Sequence, residues 1–168
     1  WLLAPIGTGF LYVRRNRQKQ LWPLMAAPAS MDEDIRKYEE IGTHPAANHN
    51  AIAVALVFHE AIGAERKVGR LRYLRDRWAR RLQKENSRFR ILTPLDGPFA
   101  GGIGLVQVEG MDPNDLVGWL LTRHRIVATP IVHPEFNGIR VTPNVYTTLG
   151  EVDQFADRML EAIRVGIG

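Results

Sequence analysis

Cysteine is absent from the 168 residues. That excludes disulfides, thiolate metal centres and a thiol nucleophile within the chain. No apolar run comes near the ~20 residues needed to span a bilayer, so no membrane segment is expected. Aromatic residues make up only 8% and are singly placed, which leaves no regular platform for stacking bases. An initiating methionine is also missing. The opening Trp1–Ile6 lacks the basic region and cleavage pattern of a signal peptide. The expectation is a chain that starts inside a longer protein or after processing. The expected compartment is the cytoplasm, with any targeting signal lying upstream of Trp1.

What is present is the balance of a globular protein, 45% hydrophobic and 24% charged. The formal charge of +4 is unevenly spread. Between Ala64 and Arg90 stand eleven Lys or Arg against Glu65, Asp76 and Glu85, a local +8 that leaves −4 for the rest. Such a stretch could track a phosphate backbone. Its apolar positions Val68, Leu71, Leu74 (or Arg75), Trp78 and Leu82 nevertheless step by three or four residues. This is the spacing of an amphipathic helix whose basic residues form a solvated face.

The periodicities divide the chain near residues 85–90. Phe10–Val13 reads as a buried strand after the Gly7-Thr8-Gly9 turn, and residues 18–30 as an irregular connection. Ser30 and Glu33 have capping-box spacing for a short helix near 32–39. An Ala-rich helix is expected from about 47 to 62, with Gly63 as its stop, followed by the basic helix 64–85. Beyond it come strands at 89–92 and 103–108, then a helix opened by Asp112-Pro113. Strands at 126–128 and 139–141 follow, then a helix opened by the Thr148/Glu151 capping box. Strand, strand, helix, strand, strand, helix is an α+β layer.

Metal chemistry is not supported. His59-Glu60 begins like a zinc-protease helix, but Gly63 occupies the place of the second ligand. The spacings of His44/His49 and His124/His133 match no ligand pattern. The glycines at 7–9 and 101–104 precede strands and lack a following Lys-Ser/Thr, so backbone turns account for them. Arg140 lies between Ile139 and Val141 on a strand and so points to the opposite face. A planar guanidinium there suits a carboxylate. An ordinary edge-strand arginine and a ligand-binding one both fit.

Three stretches together resemble the aminotransferase class V family, with isopenicillin-N epimerase-like proteins as the nearest group. Trp1–Arg14 is similar to the stretch that directly follows the Schiff-base lysine. Tyr38-Glu39-Glu40-Ile41-Gly42-Thr43-His44-Pro45 is similar to the Gly-Thr turn before the long helix. Ile139–Thr148, with Glu151 and Asp153, is similar to the small-domain strand and its entry into the last helix.

The resemblance implies an α/β, fold-type I pyridoxal-phosphate architecture. Residues 1–85 would be the C-terminal part of the large cofactor-binding domain, and 86–168 the small α+β domain. It implies that Gly42 and Thr43 approach the phosphate of pyridoxal phosphate, commonly that of the partner subunit in a homodimer. It implies that Arg140 clamps the α-carboxylate of an amino-acid substrate. No catalytic residue is expected in the chain, because the lysine would stand just before Trp1, and Lys19, Lys37, Lys67 and Lys84 do not match its position. The expectation is the C-terminal part of an enzyme with epimerase, lyase or transaminase chemistry, inactive by itself. With no cysteine between about Thr129 and Gly138, the thiol that accepts sulfur in desulfurases is lacking. The alternative function is a basic α+β module binding nucleic acid or an acidic protein.

Overall fold

A computed structural model describes residues 1–39 and 41–168; Glu40, within the Tyr38–Pro45 stretch, lies outside the described residues. The chain packs as two compact units, Trp1–Ala61 and Ile62–Gly168.

The first unit is mostly irregular. Single 3-10 turns cover Arg15–Gln20, Ala29–Met31 and Ile35–Tyr38. They are tied by Lys37, which is buried and donates from Nζ to the carbonyls of Gln18 (2.6 Å) and Asp32 (3.1 Å). The Tyr38 hydroxyl donates to the same Gln18 carbonyl. Two expectations need correction here. The turn near 32–39 is capped by Asp34, which accepts from the Arg36 amide, while Glu33 is drawn off to pair with Lys19. The strand expected at 10–13 is absent, and Phe10, Leu11 and Tyr12 are exposed. A strand needs a neighbour for its backbone groups, and none of the described sheet pairing reaches these residues. Helix α1 (Ala46–Ile62) matches its expected span. It buries only Ala55, leaving Val54, Leu56, Val57 and Phe58 exposed.

The second unit is a two-layer α+β fold. Its elements are α2 (Ala64–Glu85), β1 (Phe89–Ile91), β2 (Gly104–Val108), α3 (Pro113–His124), β3 (Thr129–Val132), β4 (Asn137–Val141) and α4 (Leu149–Val165). The four strands form an antiparallel sheet in the order β1-β2-β4-β3. Strand alternation sends Phe89, Val106, Val108 and Ile139 to one face. There they join Leu74, Trp78 and Leu82 of α2, Leu116 and Leu120 of α3, and Val152, Phe155 and Met159 of α4 in one core. Trp78 meets Phe155 edge to face, with ring centroids 5.6 Å apart. Gly104 lets β2 lie against this indole, for a Cβ there would stand 2.5 Å from Trp78 Cζ2.

The helix starts are as expected. Asp112 accepts from the amides of Asn114 and Asp115, and Thr148 and Glu151 cap α4 reciprocally. The strand expected at 126–128 instead forms at 129–132. Arg125 closes α3 in a left-handed conformation, so the chain is still turning at 126–128 while Ile126 and Ala128 pack on the core. Pro130 lies in β3, an edge strand, where a missing N–H can be tolerated.

The basic stretch also differs from a solvated face. Val68 is exposed and Arg75 is fully buried. Arg77 grips both carboxylate oxygens of Asp153 at 2.6 and 2.7 Å, and Arg81 reaches Asp157 (2.6 Å) and Glu85 (2.9 Å). Arg70 donates to the Thr147 carbonyl and Arg72 to that of Ala100. Arg80 pairs with Asp96. These side chains tie α2 to α4 and to the 92–103 loop.

Candidate functional site

The residue singled out for carboxylate recognition, Arg140, lies on β4 between β2 and β3. It is therefore an interior-strand residue, which sets aside the edge-strand reading. Its neighbour Ile139 is buried under the helices, so alternation turns Arg140 to the face opposite the three core helices of this unit, where it is exposed. Register sets its surroundings: Leu105 of β2 stands opposite on one side and Thr129 of β3 on the other. Leu92 continues the row, its amide donating to the Leu105 carbonyl. The Arg140 guanidinium donates to Thr129 Oγ1 at 3.4 Å and forms no ion pair among the described residues. An exposed fork beside a hydroxyl and two half-buried leucines is chemically suited to a carboxylate whose remainder is partly apolar.

Gly42 and Thr43 lie in the first unit and Arg140 in the second. Gly42 has φ +84°, a conformation that favours glycine, and open space surrounds the position a Cβ would take. Thr43 is exposed, and His44 Nδ1 sits 3.0 Å from the Gly42 carbonyl. Backbone N–H groups at a glycine turn and a free threonine hydroxyl form a donor set that suits a phosphate.

None of the lysines is arranged as a nucleophile in a formed site. Lys19 is paired with Glu33, Lys37 is bound to two carbonyls, Lys67 is buried on α2, and Lys84 is exposed in the last turn of α2. Among the described residues no group of three or more His, Asp or Glu could hold a metal, and no helix is long and apolar enough to cross a membrane.

No family model matches the chain. Isopenicillin N epimerase of Streptomyces clavuligerus is 30% identical over 176 aligned positions, which cover 95% of this chain and 44% of that protein. A protein of Mycobacterium tuberculosis (strain CDC 1551 / Oshkosh) named probable hercynylcysteine sulfoxide lyase is 30% identical over 170 positions, covering 96% and 42%. The apo structure of a cysteine desulfurase from Thermococcus onnurineus NA1 superposes with a TM-score of 0.66 at 23% identity, covering 76% of this chain and 34% of that one.

The chain is aminotransferase class V-like.

Its fold is the α/β, fold-type I kind shared with that desulfurase. The class V-like chain spans less than half the length of the curated relatives it matches. The residues 129–138 now take shape as the β3–β4 hairpin, whose tip is closed by the His133 amide donating to the Phe136 carbonyl and by His133 stacked on Phe136. No thiol is available there.

Two features of this class V-like unit are not legible in the sequence. Thr129 lies just beyond the strand expected at 126–128, and only register sets it beside Arg140. The helical spacing offers Leu74 or Arg75 as alternatives on the apolar stripe. In fact both are buried, and Arg75 donates to Asp76 Oδ1 and to the carbonyls of Leu95 and Gly101. An arginine inside an apolar stripe was the available signal.

Proposed function

We propose that this chain is the C-terminal part of a pyridoxal-phosphate-dependent enzyme acting on an amino acid, with Arg140 binding the α-carboxylate. The observation that carries the proposal is Arg140, exposed on the face of an interior strand opposite the core, with a hydroxyl at its side and no ion pair among the described residues. The relatives at 30% identity support it by their names, an epimerase and a lyase of amino-acid-like substrates. Pyridoxal phosphate, when bound, supplies an electron sink at the substrate's α-carbon. This chain's own contribution is positioning: a carboxylate held in two places by a fork can no longer rotate freely, which fixes the α-carbon's orientation.

In the same reading, residues 1–85 complete the large domain and 86–168 form the small one. Gly42 and Thr43 hold the phosphate, in a homodimer that of the partner subunit. The nucleophilic lysine lies upstream of Trp1, so the 168-residue chain treated with pyridoxal phosphate and borohydride acquires no stoichiometric label on any lysine. One labelled lysine refutes that part. Epimerase, lyase and transaminase chemistry share the requirement for a clamped carboxylate. Thiol-mediated desulfuration has no acceptor here.

The test is Arg140→Lys and Arg140→Gln in the longer enzyme. A hydrogen bond to a charged group contributes ~1.5–3 kcal/mol, so kcat/KM should fall by about 10- to 100-fold in Arg140→Gln. Lysine should recover only part, because it lacks the planar fork. Wild-type kcat/KM in both variants would defeat the proposal. A basic nucleic-acid module is the weaker reading, since six arginines of α2 are held by acids or carbonyls of the same unit.

A further inference from the structure

The four strands of the sheet contain two arginines, Arg90 and Arg140, and no acidic residue. Both point to the face opposite the core helices of this unit. Phe89 and Ile91, on either side of Arg90, face the core, as Ile139 does beside Arg140. The Arg90 side chain is exposed and makes no hydrogen bond or ion pair among the described residues. This contrasts with α2 in the same unit, where arginine after arginine is satisfied internally.

The register places the two charges relative to each other. Arg90 pairs across to Gln107, and Arg140 pairs across to Leu105, two residues earlier on the same β2. β1 and β4 flank β2, so the two Cα atoms are separated by two strand spacings (~9.6 Å) and two residues of rise (~6.7 Å), about 12 Å in all. Guanidinium groups on side chains of this length close much of that gap from either end. Between them lie Leu105 and Gln107, with the Gln107 amide held by Asn137 Oδ1 at 2.8 Å. Arg90, Gln107 and Asn137 line one cleft with Glu109 and Asp112. Arg90 forms an ion pair with neither acid among the described residues, and Asp112 is committed to capping α3.

We propose that this face selects a dianionic amino acid: Arg140 takes the α-carboxylate and Arg90 takes a second carboxylate carried on a flexible chain that runs over Leu105. The proposal rests on the reading of Arg140 given above and adds to it a second anion subsite and hence a substrate class. A shield for the edge of β1 needs only a charge. A subsite needs the two arginines to act together, which a length series detects.

The probes are acetate and the straight-chain dicarboxylates from succinate to pimelate. They are added at fixed ionic strength to the 168-residue chain while the arginine Nε–H resonances are followed by NMR. The expected result is that acetate shifts Arg140, and that adipate or pimelate shifts both Arg140 and Arg90 and binds about fivefold more tightly, the size of one exposed charge pair. Arg90→Gln should leave acetate binding at Arg140 unchanged and abolish the dependence on length, with an otherwise intact amide spectrum. If acetate shifts Arg140 but no dicarboxylate binds more tightly, or Arg90→Gln has no effect, the second subsite is overturned and the Arg140 reading survives. If no carboxylate shifts Arg140, both fall.

Discussion

Replacing Arg75 gives the sharpest test of how this unit is held together. The side chain is wholly buried, on a helix whose neighbouring positions Leu71, Leu74, Trp78 and Leu82 are core. Its fork is satisfied on three sides: the Asp76 carboxylate at 2.6–2.8 Å and the carbonyls of Leu95 and Gly101. Those carbonyls belong to the loop between β1 and β2, so one buried cation closes a loop of about a dozen residues onto α2. Arg75→Ala removes the cation, leaves two carbonyls without a donor and opens a void. Breaking a buried ion pair from one side costs ~3–5 kcal/mol. Arg75→Met keeps most of the volume and removes the desolvation cost of the charge. It still leaves two carbonyls unpaired at ~1–3 kcal/mol each, so a loss of about 2–4 kcal/mol is expected. Either is a large share of the ~5–15 kcal/mol typical of a domain. Urea unfolding followed by tryptophan fluorescence, in a background where Trp1 and Trp22 are replaced by Phe, measures both. Loss in the order Ala greater than Met greater than wild type supports the reasoning. An Arg75→Met protein as stable as wild type refutes it, because the two carbonyls would then have needed no donor.

Two further outcomes follow from the same geometry. Gly104→Ala places a methyl 2.5 Å from the Trp78 ring, and relief requires moving the largest core side chain, so a loss of ~1–3 kcal/mol is expected in the same urea assay; an unchanged midpoint would show that the indole shifts freely. Stability should begin to decline below about pH 4, because Arg77 holds the Asp153 carboxyl below its ordinary range, the Thr148 N–H and hydroxyl do so for Glu151, and Arg158 for Glu161. Carboxyls lowered in the folded state contribute stability above their unfolded values of ~3.9–4.3 and lose it as pH falls through the folded ones. Urea midpoints between pH 7 and 2.5 should show that decline, shallower in Asp153→Asn; equal slopes in the two proteins would remove Arg77–Asp153 from the account.

The elements that the sequence announced are those controlled by near neighbours. Helix α4 starts where Thr148 and Glu151 cap each other, α3 where Asp112 meets Pro113, and α2 runs as its three- and four-residue apolar spacing requires. Each of these signals acts over less than two turns, so it survives in the order of residues. The misplaced elements depend on distant partners. Phe10–Val13 has strand composition but no ladder neighbour, and β3 forms only where Thr129–Val132 meets Asn137–Val141.

The candidate site divides in the same way. Alternation along 139–141 was enough to turn Arg140 away from the core, since successive strand residues must face opposite sides. That its strand is interior, that Thr129 and Leu105 flank it, and that Arg90 shares its face were decided by how four separate segments came into register. Register is a property of pairing between residues up to 37 positions apart, as Gly104 and Val141 are, stabilised by the core beneath them, and no local pattern in any one of those strands encodes it.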